Sequence, residues 1–257
     1  MRRITLTVAV GCLGVASAIA GSPKDAAAPL SHSALHRAGA AGAALLQSEN
    51  WSGIAVTGEV YSQVAGSWKV PTVIAKPGNR YASDWVGIGG FNSSDLIQAG
   101  TSEQYTGGHA SYNAWTEILP QSESVIPGFT VRPGDSMTVD ITKGSGNAWK
   151  IVITDATESE SFTRNVTYSS LENSAEWIHE APEVGGTIVN LASTTAVDFD
   201  HGTVNGSTVI GSAGTQTRIQ LAGYLPGDTK ATPSRLDADK DGFAVADGSK
   251  TPKPPAS

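Results

Sequence analysis

One cysteine is present in 257 residues, and it stands at position 12. Cys12 lies inside MRRITLTVAVGCLGVASAIAG, where two arginines precede an apolar run and small residues offer A-x-A cleavage sites at Ala16–Ala18 or Ala18–Ala20. Residues 1–20 therefore read as a secretory signal peptide. A lipoprotein signal ending at Cys12 fits poorly, because Ala9 replaces the usual leucine and the apolar run before it is short. After cleavage the chain holds neither a disulfide nor a thiol nucleophile. Its expected location is extracellular, with no membrane contact once the signal is gone, since no later run is apolar enough to span a bilayer. Basic charge is also scarce: Lys+Arg 17 against Asp+Glu 24 gives a formal net charge of -7. That balance leaves no electrostatic footprint for nucleic acid or an anionic membrane.

Familiar catalytic signatures are missing too. There is no G-x-S-x-G elbow, no H-E-x-x-H helix and no P-loop. The five histidines (His32, His36, His109, His179 and His201) are scattered, and two precede the main domain. Their spacing neither builds nor excludes a Ser-His-Asp triad, whose members meet in space rather than in sequence. No cofactor is implied, and a monomer is the expectation.

Long amphipathic helical patterns are absent as well. What is there instead is a series of short runs rich in Val, Ile, Thr, Trp and Tyr, separated by Gly, Pro, Asn and Ser. GSWKVPTV, SDWVGIGG, DLIQAG, SYNAWTEILP, SMTVDIT, AWKIVITDA, RNVTYS, AEWIHEAP and TRIQLAGY each fit a strand of about four to eight residues. SMTVDIT and AWKIVITDA around Lys143–Asn147 read as a hairpin with a glycine-containing loop. The expected fold is all-β, an antiparallel sandwich of two packed, curved sheets of the concanavalin-like kind. Residues 21–48, rich in Ala, Ser and Gly, read as a linker or short pro-segment. Residues 49–225 form the domain, and the proline- and charge-rich residues 226–257 read as a mobile tail.

Carboxylates and amides on strands remain as candidates for chemistry. In SAEWIHE the two-residue period puts Glu176, Ile178 and Glu180 on one face, with Trp177 and His179 on the other. In YNAWTEILP it puts Asn113, Trp115 and Glu117 together, and a tryptophan beside a carboxylate suits a cleft floor. Gln98, between Ile97 and Ala99, can both donate and accept. An isolated strand glutamate is most often solvated surface, so spacing alone makes none of these catalytic.

The ordered series NWSG (Asn50–Gly53), SWKVPTV (Ser67–Val73), DWVGIGG (Asp84–Gly90), LIQAGT (Leu96–Thr101), YNAWTEILP (Tyr112–Pro120) and AEWIHE (Ala175–Glu180) resembles the glutamic peptidases, or eqolisins. The likeness runs from about Asn50 to Tyr224. It implies a two-sheet sandwich and an acid-active endopeptidase of polypeptides that is insensitive to inhibitors of aspartic peptidases. By motif, the family's catalytic glutamate falls on Glu176 and its catalytic glutamine on Gln98, while Trp85, Trp115 and Glu117 match positions lining the cleft. Departures are Gly89 in place of an acidic residue, YNAWTEILP without the aromatics of the usual AWYEWYP, and His179 in an otherwise apolar strand. Such chemistry needs a base for the water and a donor for the oxyanion, tasks that a glutamate and an un-ionisable amide can divide.

Two other readings compete: a glycoside hydrolase using Glu117 and Glu176, and a carbohydrate-binding module with Trp85 and Trp115 as stacking platforms. Separately, Asp237, Asp239 and Asp241 before Gly242 match the first half of an EF-hand-type calcium loop. The bidentate position falls on Gly248 rather than glutamate, so the motif reads either as a calcium site or as a solvated acidic linker.

Overall fold

The structure, a computed structural model, describes residues 29–38, 45–223 and 227–257. The signal-peptide reading and Cys12 lie outside the described residues. The strands, in chain order, begin with β1 (Leu30–Ser31), β2 (Leu46–Ser48), β3 (Trp51–Thr57), β4 (Gln63–Lys69), β5 (Arg80–Gly89) and β6 (Leu96–Thr106). They continue with β7 (His109–Ile118), β8 (Ser124–Val125), β9 (Ser136–Lys143), β10 (Ala148–Asp155), β11 (Glu160–Thr167) and β12 (Ser174–Glu180). β13 (Glu183–Val184), β14 (Thr187–Ile188), β15 (Val197–Val204), β16 (Thr208–Val209), β17 (Thr215–Ala222), β18 (Thr229–Pro233) and β19 (Phe243–Asp247) complete the series. Every apolar run singled out in the sequence contributes to a strand or its flank.

The main strands form one ribbon, ordered β11-β10-β9-β4-β15-β19-β18-β17-β3-β12-β5-β6-β7-β8. Its two halves pack face to face. Val139, Ile141, Ile151 and Ile153 of β9 and β10 share one buried cluster with Val86, Ile88, Ile97 and Ala99 of β5 and β6. Polar ties cross the same interior: the Trp68 indole donates to Thr101 Oγ1 at 3.1 Å, and the Trp177 indole to the Ala65 carbonyl at 2.9 Å. The sandwich expected from strand spacing is the fold observed.

The β3-β12-β5-β6-β7 half is covered on its other face as well. Trp51, Ala55, Trp85, Leu96, Trp115 and Ile178 form a second buried cluster there. A sheet covered on both sides loses the apolar–polar alternation of a half-solvated one, and β12 is accordingly buried at all seven positions. His179 is thereby explained. It faces the sandwich interior, where its Nδ1 lies 2.8 Å from Asp84 Oδ1. Burial pulls the imidazole down, but the Asp84 charge and hydrogen bond outweigh it and hold the pKa above the ordinary value.

The end of the chain departs from expectation. Residues 226–257 do not form a mobile tail over their whole length: β18 and β19 lie inside the ribbon and join its two halves, pairing with β17 and β15 respectively. Phe243 is fully buried and stacks on Phe199 with ring centroids 5.2 Å apart. Proline and charge dominate the composition there, and they hide the apolar triplet Phe243–Val245 that needs a partner sheet. Phe243→Ala is expected to cost about 3–5 kcal/mol in a urea unfolding titration. A loss below about 1 kcal/mol would place these strands outside the cooperative core.

Candidate active site

Gln98 and Glu117 are direct cross-strand partners on β6 and β7, and Gly87 of β5 stands opposite Gln98 on its other side. A Cβ at Gly87 would lie 3.0 Å from Trp85 Cζ3 and 3.1 Å from Gln98 Cβ. The missing side chain lets the Trp85 ring fold along the sheet. Its indole N–H then donates to Glu180 Oε2 at 2.8 Å. Asn50, just before β3, donates to the other oxygen, Glu180 Oε1, at 3.4 Å. Trp51 meets Trp85 edge-on at 5.0 Å, which limits how that indole can move.

A peptide segment runs across this floor. Residues 29–38, expected to belong to a linker or pro-segment, lie against β3, β6, β7 and β12. The carbonyl oxygen of His32 accepts from Gln98 Nε2 at 3.0 Å, and the His32 backbone N–H donates to Glu117 Oε2 at 2.9 Å. The Ser31 hydroxyl donates to Glu117 Oε1 at 3.0 Å. The His32 ring stacks on Trp115 with centroids 3.8 Å apart and planes 8° from parallel. Its Nδ1 lies 3.2 Å from Glu180 Oε2 and its Nε2 lies 3.1 Å from Glu123 Oε2. Beyond it, the Trp51 indole donates to the Ser33 carbonyl at 3.1 Å, and Asn50 Nδ2 donates to that of Ala34 at 3.1 Å.

The Gln98 amide is oriented by these partners. Its Nε2 also donates to Glu117 Oε2 at 3.0 Å, so both neighbours of the nitrogen are acceptors and the N/O assignment follows from the network. Gln98 Oε1 is buried without a hydrogen-bond partner among the described residues, as is the Trp115 indole N–H. Burial pushes the Glu117 carboxyl up to about 7, against the lowering effect of the His32 charge and N–H. Glu180 is likewise raised by burial, opposed by His32, Trp85 and Asn50. For His32, burial alone would lower the imidazole; the hydrogen bonds to Glu123 and Glu180 and the charges of Glu180 and Glu117 lift it to about 10.

A buried floor of glutamine, glutamate and tryptophan holding an extended peptide by its backbone is a site for polypeptides. Residues 49–234 match the Peptidase A4 family. The chain belongs to that family. It is 31% identical to Aspergillopepsin-2 of Aspergillus niger over 211 residues, 72% of this chain and 75% of that protein. With Scytalidopepsin B of Scytalidium lignicola it shares 29% identity over 136 residues, 51% of each protein. The fold superposes on scytalido-glutamic peptidase with a TM-score of 0.66 at 20% identity, covering 77% of this chain and 98% of that one. For aspergilloglutamic peptidase from Aspergillus niger the TM-score is 0.54 at 27% identity, covering 65% and 99%. This A4 peptidase is thus a glutamic endopeptidase, a hydrolase of polypeptide substrates. Membership does not favour the carbohydrate-directed alternatives.

Of the residues expected at the site of the A4 peptidase, Gln98, Trp85, Trp115 and Glu117 come together. Glu176 does not join them by any hydrogen bond. It shares a sheet face with Glu180, but it sits four residues back along β12, fully buried, and neither carboxyl oxygen has a partner among the described residues. Burial holds it well above the ordinary value, opposed by the Ser174 hydroxyl, which makes no hydrogen bond by geometry. The carboxylate of SAEWIHE that meets Trp85, Asn50 and the bound segment is Glu180. Its position was legible in the two-residue period that puts both glutamates on one face; which of the two reaches the floor was not. Asn50, Trp51 and His32 carried no sequence signal beyond the NWSG motif and an isolated histidine.

Proposed function

We propose that the protein is an exported acid endopeptidase in which Glu180 is the general base and Gln98 the oxyanion donor. We propose further that residues 21–48 are a pro-segment whose described part blocks the cleft. Export rests on the signal-like N-terminus. The observation that carries the mechanism is the peptide carbonyl of His32 held by Gln98 Nε2, with the same residue's Nδ1 3.2 Å from Glu180 Oε2. With substrate in place of the segment, ionised Glu180 takes a proton from water, and the water oxygen attacks the scissile carbonyl carbon. The resulting oxyanion accepts from the Gln98 amide. Protonated Glu180 then gives its proton to the leaving nitrogen, and the C–N bond breaks to an acid and an amine. Trp85 and Asn50 hold the Glu180 carboxyl in place, and Glu117 fixes the Gln98 amide.

A single carboxyl that must be base and then acid works best near its own pKa, which puts activity on the acid side of neutrality. The test is hydrolysis of an unfolded protein from about pH 2 to 8, after removal of the N-terminal segment. Cleavage in acid that fades toward neutral pH is expected. A correctly folded, segment-free protein with no cleavage at any pH would overturn the mechanism.

A further inference from the structure

Outside the cleft, three carboxylates converge where the two halves of the ribbon are joined. Asp200 lies on β15; Asp237 and Asp241 lie in the connection between β18 and β19. One oxygen from each lies within 4.8 Å of the others. Asp237 is only 8% exposed: its Oδ1 accepts from the Lys240 and Gly242 N–H groups at 2.9 and 3.2 Å, while its buried Oδ2 has no partner among the described residues. Asp241 Oδ1 is also unpartnered. Asp200 Oδ1 accepts the His201 N–H at 2.8 Å, and the nearest cationic group to its Oδ2 is His201 Nδ1, at 3.9 Å. Neither lysine nor arginine pairs with the three among the described residues.

The backbone is cut to fit the same oxygens. A Cβ at Gly242 would stand 2.3 Å from Asp237 Oδ2, 3.2 Å from Asp200 Oδ1 and 2.9 Å from the Phe199 carbonyl oxygen. Bringing like charges this close costs Coulomb energy that a cation would reverse.

We propose that Asp200, Asp237 and Asp241 bind one calcium ion that ties β15 to the β18–β19 connection. All the donors are hard oxygens, which favours calcium over a transition metal; calcium also tolerates irregular geometry better than magnesium does. The assignment differs from the sequence motif. Asp239 is not one of the converging three, and a strand residue distant in sequence, Asp200, takes its place. The ion would bridge two elements of the sandwich rather than fold a single loop.

The test uses the whole chain, stripped with chelator at neutral pH, with calcium chloride as the only titrant. Calorimetry should give one site per chain, and millimolar calcium should raise the Tm by several degrees, as a ligand of the native state must. Asp237→Asn and Asp200→Asn should each weaken binding by about tenfold or more, and Asp239→Asn by less than either. Should Asp237→Asn fail to fold, Asp200→Asn and the wild-type titration still decide. No heat and no Tm shift in the wild type would overturn the site, as would unchanged binding by Asp200→Asn or by folded Asp237→Asn.

Discussion

Replacing Glu180 by glutamine should lower kcat by about 10²–10⁴-fold at the acid optimum, while Glu176→Gln should leave it within about tenfold. The contrast follows from their surroundings. Glu180 is held by the Trp85 indole at 2.8 Å and by Asn50 at 3.4 Å, and it reaches the residue that occupies the cleft. Among the described residues Glu176 accepts no hydrogen bond, and burial keeps its carboxyl well above the ordinary value. An amide of the same shape therefore loses no hydrogen bond among the described residues. Gln98→Ala should cost about 10²–10³-fold, mainly in kcat, as loss of an oxyanion donor does. Circular dichroism and urea titrations on each variant separate folding from chemistry. The opposite ranking, with Glu176→Gln dead and Glu180→Gln active, would return the base to Glu176.

The second large effect concerns the segment in the cleft. A synthetic peptide spanning residues 29–38 should inhibit the segment-free enzyme competitively, and replacing its His32 by alanine should weaken it by about 2–5 kcal/mol, about 30-fold or more. His32 is fully buried and makes two hydrogen bonds to carboxylates and a stack on Trp115. The linkage sign is set by its pKa, raised from 6.5 to about 10 on binding. Its contribution is complete below the free value and is lost as pH rises through about 10. Across the acid range His32 itself therefore does not titrate. Acidification therefore gives no release of the segment through His32, and Glu117, whose bound value is raised to about 7 by burial, takes up a proton in the complex rather than expelling the segment. Equal inhibition by the two peptides would remove His32 from the latch.

The strand pattern, the sandwich and the shared face of Trp115 and Glu117 were legible along the chain, because pleat and hydrophobic alternation are local properties, whereas Gln98 was marked by the family resemblance alone. The two-residue period also put Glu176 and Glu180 on one face. Choosing between them required knowing that Gly87 leaves room for Trp85 to fold over and donate to Glu180, and such a contact depends on two strands far apart in sequence. Residues 29–38 looked like spacer because their partners, Gln98, Glu117, Glu123 and Glu180, stand 66 to 148 positions away. The same holds at the other end, where Phe243 reads as an isolated aromatic in a charged stretch until Phe199 is stacked against it. The sequence by itself determined the elements and the family. Tertiary structure alone decided which carboxylate faces the peptide, what fills the cleft, and which aspartates meet across the joint of the two sheets. Burial and cross-strand contact belong to pairs of distant residues, and the order of residues along a chain does not specify distance in space.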